Sequence, residues 1–373
     1  MNSSNCEAKK NSIAFYLLTG KINVLFSFLI ACVGFVGNGL GVFVFAQKRF
    51  RLHSSSIYLF CLCLSDIFFL FMHLFEETLK TYINVFLYGQ ANYIDKECLQ
   101  FKHSSLNDTT VTQRLLMIIN ITDRYNFPCR FVNYLRYFLR FLSAYIIVAF
   151  TIQRTFAIYC PFIQAKFESK RNAWNIVTLI FILGLFINMW VPFLFITITD
   201  SNNTYCGVNK EFSRIYFTLN IFYITLTLLI PILVIFVCNT FIIKFIIKAS
   251  KQRKTMTNFE IKKLNSSNEK KNMENSLNKQ KSPKSVLNKI TIMLLIMSFS
   301  YTGLNLPYLI SWCLFFYGME INNNYDSIDR YYTYSFFKLC ELANLLNYGI
   351  HFYIYCSSGY KFRMQLRQSF KTG

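Results

Sequence analysis

The sequence predicts an all-α membrane protein, a bundle of seven transmembrane helices with a short amphipathic C-terminal helix. Three observations support this fold class. Hydrophobic residues make up 54% of the 373 residues and charged residues only 15%, which is too apolar for an ordinary soluble domain. Apolar runs long enough to cross a bilayer recur along the chain. Lysine and arginine are concentrated in alternate connecting segments, as in multi-pass membrane proteins.

The apolar runs predict seven membrane spans. Five carry few charges, the third contains Arg136 and Arg140 in its outer half as well as an arginine near each end, and the seventh contains a lysine, a glutamate and a histidine. The predicted spans are 22–46, 56–79, 129–159, 173–199, 215–248, 286–318 and 332–356. The segment 250–285 is rich in Lys, Asn and Ser, which predicts a flexible basic cytoplasmic loop. Residues 357–373 are predicted to form a short cytoplasmic helix and tail.

The charge pattern predicts the orientation of the chain. Residues 1–21 are polar and lack a signal-peptide core, so we expect an extracellular N-terminus with the first span as signal-anchor. The net charge of +21 then lies mainly on the cytoplasmic side, beside anionic lipid, and requires no nucleic-acid partner. The predicted location is the plasma membrane, with a cytoplasmic C-terminus. Four glycosylation triplets fall on the predicted outer side, at Asn2, Asn107, Asn120 and Asn202.

Short motifs follow one another in a characteristic order along the spans. They are Gly37-Asn38, Leu62-Cys63-Leu64-Ser65-Asp66, Cys129, Arg154 with Ala157 and Pro161, Pro231, Pro307, and Tyr355 followed by Phe362-Arg363. This set resembles the rhodopsin-like (class A) G-protein-coupled receptors over about residues 22–370. The stretch 347–356 resembles, more narrowly, the invertebrate neuropeptide receptors of the FMRFamide type. The resemblance implies a receptor domain over 22–356 that transmits extracellular ligand binding to a heterotrimeric G protein.

The chain departs from this family at several positions, so it is predicted to be a divergent member. Gln153 and Thr155 replace the acid and the aromatic residue that usually flank the arginine. Asn305 stands where the sixth span usually has tryptophan, and His351 with Phe352 replaces the usual asparagine and proline.

The resemblance implies that Arg154, Pro307 and Tyr355 couple the receptor to its G protein. Arg154 lies about seven helical turns after Cys129, so the two residues should mark opposite faces of the bilayer. The alternative role for Arg154 is an anchor that snorkels to the inner interface. Because Gln153 lacks the charge that restrains this arginine in the family, we expect raised basal signalling.

Asp66 is an acid in the middle of a span, where a carboxylate needs a partner or water. The resemblance places it beside Ser143 and Asn347. Three further polar residues are expected nearby: Asn38, Asn305 and His351. This set would hold an allosteric sodium ion or, alternatively, a water network. No other cofactor is predicted.

The resemblance also implies a disulfide between Cys129 and Cys206 on the outer side. Cys6 and Cys98 are predicted to lie outside too and could form a second disulfide, with Cys340 as a competitor.

Six residues are candidates for the ligand pocket: Glu76, Glu77, Arg136, Arg140, Asn305 and Glu341. Arg136 stands where amine receptors carry an aspartate, and Leu345 where opsins carry a lysine, which disfavours an amine and retinal. The acids and arginines could pair with each other. Alternatively, surplus acids would receive a basic ligand group and the arginines a carbonyl, amide or carboxylate. A short amidated peptide with an internal arginine would suit both sets.

Other classes of protein fit less well. The four histidines are scattered, and no phosphate-binding glycine loop or nucleophile elbow is found, so an enzyme is not predicted. The alternative function is a seven-span channel or transporter, in which Asp66, Arg136, Arg140 and Glu341 would be pathway charges.

Overall fold

Long helices and one β-hairpin make up the computed structural model of the chain, which describes residues 3–47, 54–82, 85, 121–159, 169–200, 203–264, 283–320 and 327–358. Six helices are α1 (Ser3–Ala46), α2 (Ser54–His73), α3 (Asn126–Tyr159), α4 (Lys170–Ile187), α6 (Pro283–Glu320) and α7 (Ser327–Ser358). α5 comprises Ser213–Ile224, a π-helical segment Thr225–Leu229 and Ile230–Leu264. α2 continues in the same way through Leu74–Thr78 to Leu79–Tyr82. Short helices occupy Ile121–Arg124, Val191–Leu194 and Lys210–Phe212.

Within the described part of the chain, five helices are long and apolar enough to cross a membrane: Glu7–Ala46, Ser54–Tyr82, Asn126–Tyr159, Lys170–Leu194 and Lys210–Gln252. The last helix, α7, is more polar because its buried face carries Glu341, Asn344, Asn347 and His351. Large apolar side chains are instead exposed on the outside of the bundle, as in Phe28 and Phe236. This pattern, polar inside and apolar outside, is the one that hydrocarbon surroundings favour.

α1 begins well before the first predicted span, so most of the polar segment 1–21 is helical. The rings of Phe15 and Tyr16 contact those of Tyr331, Tyr332 and Tyr334 on α7, with centroids 5.5 to 5.8 Å apart. These contacts place the start of α1 against the start of α7, and they extend the helix pair beyond the predicted span.

The fourth predicted span, 173–199, is shorter in the structure and ends in a hairpin. Strand β1 (Phe195–Asp200) pairs antiparallel with β2 (Asn203–Val208), and Thr197 lies opposite Cys206. Residues 196–199 alternate isoleucine and threonine, and such β-branched residues favour a strand over a helix.

The predicted loop 250–285 is helical at its start and at its end. α5 continues to Leu264 and α6 begins at Pro283. Residues 250–264 contain no glycine or proline, which would terminate a helix, and they include several good helix formers. The local sequence therefore allows α5 to continue. Proline is well tolerated in the first turn of a helix, which accounts for Pro283. Residues 265–282 and the predicted helical tail from 359 onwards lie outside the described residues.

The core of the bundle lies around α3, which packs against α2, α4 and α5, while α7 packs against α1 and α6. Tyr58, Leu62 and Phe150 are among its fully buried side chains. α1 and α7 approach each other closely at Gly34 and Gly349, where a Cβ added to Gly34 would lie 3.1 Å from the Cα of Gly349. Such small residues let membrane helices pack backbone to backbone.

Candidate functional site

Seven charged side chains meet at the end of the bundle that carries the β-hairpin, and we call them the ionic cluster. Its members are Glu76, Glu77, Lys80, Asp123, Arg136, Lys338 and Glu341. They come from α2 and its extension, the short helix Ile121–Arg124, α3 and α7. Salt bridges of the cluster therefore connect four separate parts of the chain.

Glu77 is the centre of the first half of the ionic cluster. Its Oε1 lies 2.9 Å from Nη2 of Arg136, and its Oε2 lies 3.0 Å from Nζ of Lys338. Lys338 also donates to Oε2 of Glu341 at 2.8 Å. Because Arg136 and Lys338 are each only 14% exposed, water screens the attraction in these pairs less than it does in surface salt bridges.

Lys80 is the centre of the second half. Its Nζ lies 2.6 Å from Glu76 and 2.7 Å from Asp123. Each carboxylate of the ionic cluster thus has a cation within 3.0 Å. The acids and Arg136 thus pair within the bundle, which was the first alternative for this pocket, and two lysines that the pocket prediction omitted take part.

The sequence contained a local signal for both lysines. Lys80 follows Glu76 by four residues and Lys338 precedes Glu341 by three, and residues at these spacings share one face of a helix. The contact between Lys338 and Glu77 had no such signal, because the two residues are 261 positions apart.

The β-hairpin is fixed over α3 by a disulfide and by hydrogen bonds. Cys129 and Cys206 are bonded, as the family resemblance implied. The backbone N–H of Cys206 donates to Asp123 at 2.9 Å, which attaches the hairpin to the ionic cluster. Arg130 Nε donates to the carbonyl of Phe195 at 3.1 Å. The hairpin is therefore held at a defined position beside the cluster.

Arg140 lies one helical turn further along α3 than Arg136 and has different neighbours. Its Nη1 donates to the hydroxyl of Tyr308 at 3.1 Å. Its guanidinium carbon is 5.3 Å from the ring centroid of Tyr308 and 5.6 Å from that of Phe69. No carboxylate lies within 4.0 Å of it among the described residues, and its buried Nε has no hydrogen-bond partner there. Arg140 is thus held by aromatic rings instead of by an acid.

Asn305 was expected in the ligand pocket but is fully buried. It donates to the carbonyl of Tyr301 at 2.7 Å and accepts a hydrogen bond from Asn344 on α7. Both polar groups of its amide therefore bond within the bundle, and Asn305 links α6 to α7.

Asp66 is fully buried between α2, α3 and α7. Its Oδ1 accepts a hydrogen bond from Ser143 at 2.9 Å, and its Oδ2 lies 2.6 Å from Nδ1 of His351. Asn347 lies one turn before His351 on α7, and its buried Oδ1 has no partner among the described residues. Sequence reasoning placed Ser143 beside Asp66 and His351 near it, and the structure adds that His351 contacts the carboxylate directly.

Arg154 lies at the opposite end of α3, with its guanidinium carbon 5.6 Å from the ring of Phe150. The amide of Gln153 donates to Ser54 on α2 at 3.1 Å. Tyr159 donates to the carbonyl of Phe241 at 2.7 Å, which joins α3 to α5 at this end. Pro307 lies inside α6. The side chain of Tyr355 lies outside the described residues.

Several other predicted residues also fall outside the described part of the chain. They are the side chain of Cys6, and Cys98, Asn2, Asn107, Asn120 and Asn202. Cys340, the expected competitor for a second disulfide, is a buried free thiol.

A family model described as "7 transmembrane receptor (rhodopsin family)" matches residues 108–347, which is more than half of the chain. No curated protein matches the chain. The matched region contains the disulfide, Arg136, Arg140 and Arg154 of α3, and Pro307. Members of this family are signalling receptors and not enzymes. The chain therefore belongs to the rhodopsin family of seven-transmembrane receptors and is a multi-pass membrane protein.

Proposed function

We propose that this chain is a plasma-membrane receptor that binds a peptide at its extracellular end and activates a heterotrimeric G protein at its cytoplasmic end. The hairpin end is then extracellular, in agreement with the disulfide there, because disulfides persist in oxidising surroundings. The opposite end, with Arg154 and the basic residues of α5, is then cytoplasmic. The observation that carries the proposal is α3 itself, which joins the ionic cluster at one end to Arg154 at the other.

A peptide suits the hairpin end better than a small amine. An amine needs an acid that is available to it, whereas each carboxylate of the ionic cluster already has a cation within 3.0 Å. The cluster and Arg140 together offer charges of both signs on the extension of α2, on α3 and on α7, and a peptide can reach such separated groups. The resemblance of residues 347–356 to FMRFamide-type receptors supports the same ligand class.

Signalling would follow from a shift between two arrangements of the bundle. Pro307 interrupts the hydrogen-bond ladder of α6 and is a natural hinge. Tyr308, the next residue, accepts a hydrogen bond from Arg140. This bond connects α6 to α3 in the pocket. A ligand that binds there better in one arrangement than in the other would bias the position of α6, and with it the crevice beside Arg154.

We also propose an allosteric sodium site around Asp66. Asp66, Ser143 and Asn347 supply the oxygen donors, and the unpartnered Oδ1 of Asn347 supports a further ligand there. His351 contacts the second oxygen of the Asp66 carboxylate, so only the first oxygen is available to a sodium ion. Bound sodium would supply a positive charge that stabilises the buried carboxylate.

The proposal is tested in cells that express the chain, challenged with a panel of neuropeptides while G-protein activation and membrane current are recorded. We expect at least one peptide to activate a G protein without a current. Arg154→Ala should abolish this response while surface expression and peptide binding remain. A peptide-independent current with no G-protein activation would instead support the channel or transporter alternative and contradict the proposal.

A further inference from the structure

We propose that Arg140 is an anion-binding anchor in the ligand pocket and that the part of the ligand that reaches it carries a carboxylate. This inference rests on the proposed function, since it names the chemistry that the receptor's ligand must present. It also narrows that function, because the sequence alone left a carbonyl, an amide and a carboxylate equally open for the two arginines.

The two arginines of the pocket differ in their partners. Arg136 already has a carboxylate, with Glu77 at 2.9 Å. Arg140 has only the hydroxyl of Tyr308 and two aromatic faces among the described residues, and its Nε is buried without a partner. A guanidinium carries five N–H donors in a fixed fork, and with the described residues Arg140 makes one hydrogen bond, to Tyr308.

A cation in this position is costly unless an anion joins it. Removing a charged group from water into a low-dielectric interior is unfavourable, and an opposite charge is the main compensation. Cation–π contacts with Phe69 and Tyr308 offset only part of this cost. A ligand anion therefore gains more at Arg140 than a ligand cation gains at the ionic cluster, where it would have to displace Lys338 or Lys80.

The surroundings of Arg140 indicate a carboxylate next to an apolar group. A planar carboxylate matches the fork of a guanidinium and can accept two hydrogen bonds from it. Phe69 stacks on Tyr348 with centroids 4.0 Å apart, and Tyr308 lies 5.4 Å from Phe337, so aromatic rings surround the cation. A free C-terminus or an acidic side chain beside an aromatic residue has this combination of groups.

The hydroxyl of Tyr308 and the ligand anion would compete for the same donor. The hydroxyl accepts a hydrogen bond from Nη1 of Arg140 at 3.1 Å, and a carboxylate would accept this bond in its place. Because Tyr308 follows Pro307 directly, an anion that replaces the hydroxyl would release α6 from α3 next to its hinge. The same contact thus connects ligand chemistry to the helix that is expected to move.

The anchor is tested by the thermal stability of the purified full-length receptor with two probes, N-acetylphenylalanine and its uncharged amide, N-acetylphenylalaninamide. We expect the acid to raise Tm by about 3 °C at about ten times its Kd, and the amide to leave it unchanged. Arg140→Gln should abolish the shift with the acid, and Arg140→Lys should retain part of it. Tyr308→Phe keeps the ring but removes the competing hydroxyl, so it should increase the shift. Arg214→Gln removes an exposed arginine of α5 and should behave as the wild type.

Equal shifts with acid and amide in the wild-type receptor would overturn the proposal, and so would an undiminished acid shift in Arg140→Gln. The wild-type comparison and Arg140→Lys keep the test decisive if Arg140→Gln does not fold. The measurement needs neither a G protein nor the natural peptide. Its failure is therefore distinguishable from a failure of the receptor proposal, which would appear as absent G-protein activation.

Discussion

Gln153 is the residue whose chemistry departs most directly from the family's switch. An aspartate or glutamate at this position would place a negative charge next to Arg154, whereas Gln153 is neutral and donates to Ser54 on α2. Gln153 therefore cannot form the ion pair with Arg154 that the family resemblance implies, and we expect the resting arrangement to be less favoured relative to the active one.

Gln153→Asp is expected to lower ligand-free signalling, because a charged hydrogen bond to Arg154 would stabilise the resting state by about 1.5–3 kcal/mol. Basal second-messenger output should fall by at least about fivefold at equal surface expression. Gln153→Ala removes the bond to Ser54 without adding a charge, and it serves as the control. The same output from the Asp and Ala variants would contradict the idea.

His351 decides how strongly Asp66 can bind sodium. Its ring nitrogen lies 2.6 Å from Oδ2 of Asp66, where it takes an oxygen that a cation would use. His351→Asn removes the ring and supplies an oxygen instead, so we expect a greater effect of sodium on agonist affinity. Asp66→Asn should remove the sodium effect altogether.

The measurement is agonist affinity as a function of sodium concentration at constant ionic strength, in the wild type and both variants. Equal sodium dependence in all three receptors would show that no sodium ion binds near Asp66. Potassium or choline in place of sodium controls for general screening.

At the scale of helices, α1 packs closely against both α2 and α7 at Gly34. A Cβ on Gly34 would meet Leu70 and the Cα of Gly349, and the latter is backbone that cannot rotate away. Gly39 lies on the same helix, and a Cβ there would meet nothing within 4 Å. The two glycines are thus a matched pair that differs in packing.

Gly34→Val is expected to destabilise the receptor by about 1–3 kcal/mol through overpacking. Its Tm should fall by roughly 2–10 °C, with less receptor at the cell surface. Gly39→Val introduces the same side chain into α1 and should cost much less. If both variants lose the same stability, the close contact between α1 and α7 is not responsible.

At the scale of the whole molecule, the ionic cluster joins α2, α3, α7 and, through Asp123, the hairpin. Removal of one member leaves others buried without a partner, which costs more than the pair itself contributes. Glu77 is the critical member, because it holds both Arg136 and Lys338.

Glu77→Gln is therefore expected to lower Tm by several degrees and to change the order in which peptides activate the receptor. Glu7→Gln removes an exposed glutamate near the start of α1 and is the control. Thermal unfolding and a peptide panel measure the two effects. Equal behaviour of the two variants would show that the cluster contributes neither stability nor selectivity.

The sequence by itself determined the membrane class, the approximate helices, the disulfide and the contact of Asp66 with Ser143. Hydropathy and helical spacing are local properties, so they can be read along the chain. The family motifs supplied the few distant pairs that sequence reasoning found.

Only the tertiary structure decided which charges meet. Lys338 reaches Glu77 across 261 residues, His351 reaches Asp66 across 285, and Arg140 meets aromatic rings instead of an acid. These contacts depend on the rotation of each helix about its axis and on the neighbour that it faces. A shift of one residue along a helix turns the side-chain direction by about 100° and so changes the partner. Helix packing, a non-local property, therefore decides the chemistry of the pocket.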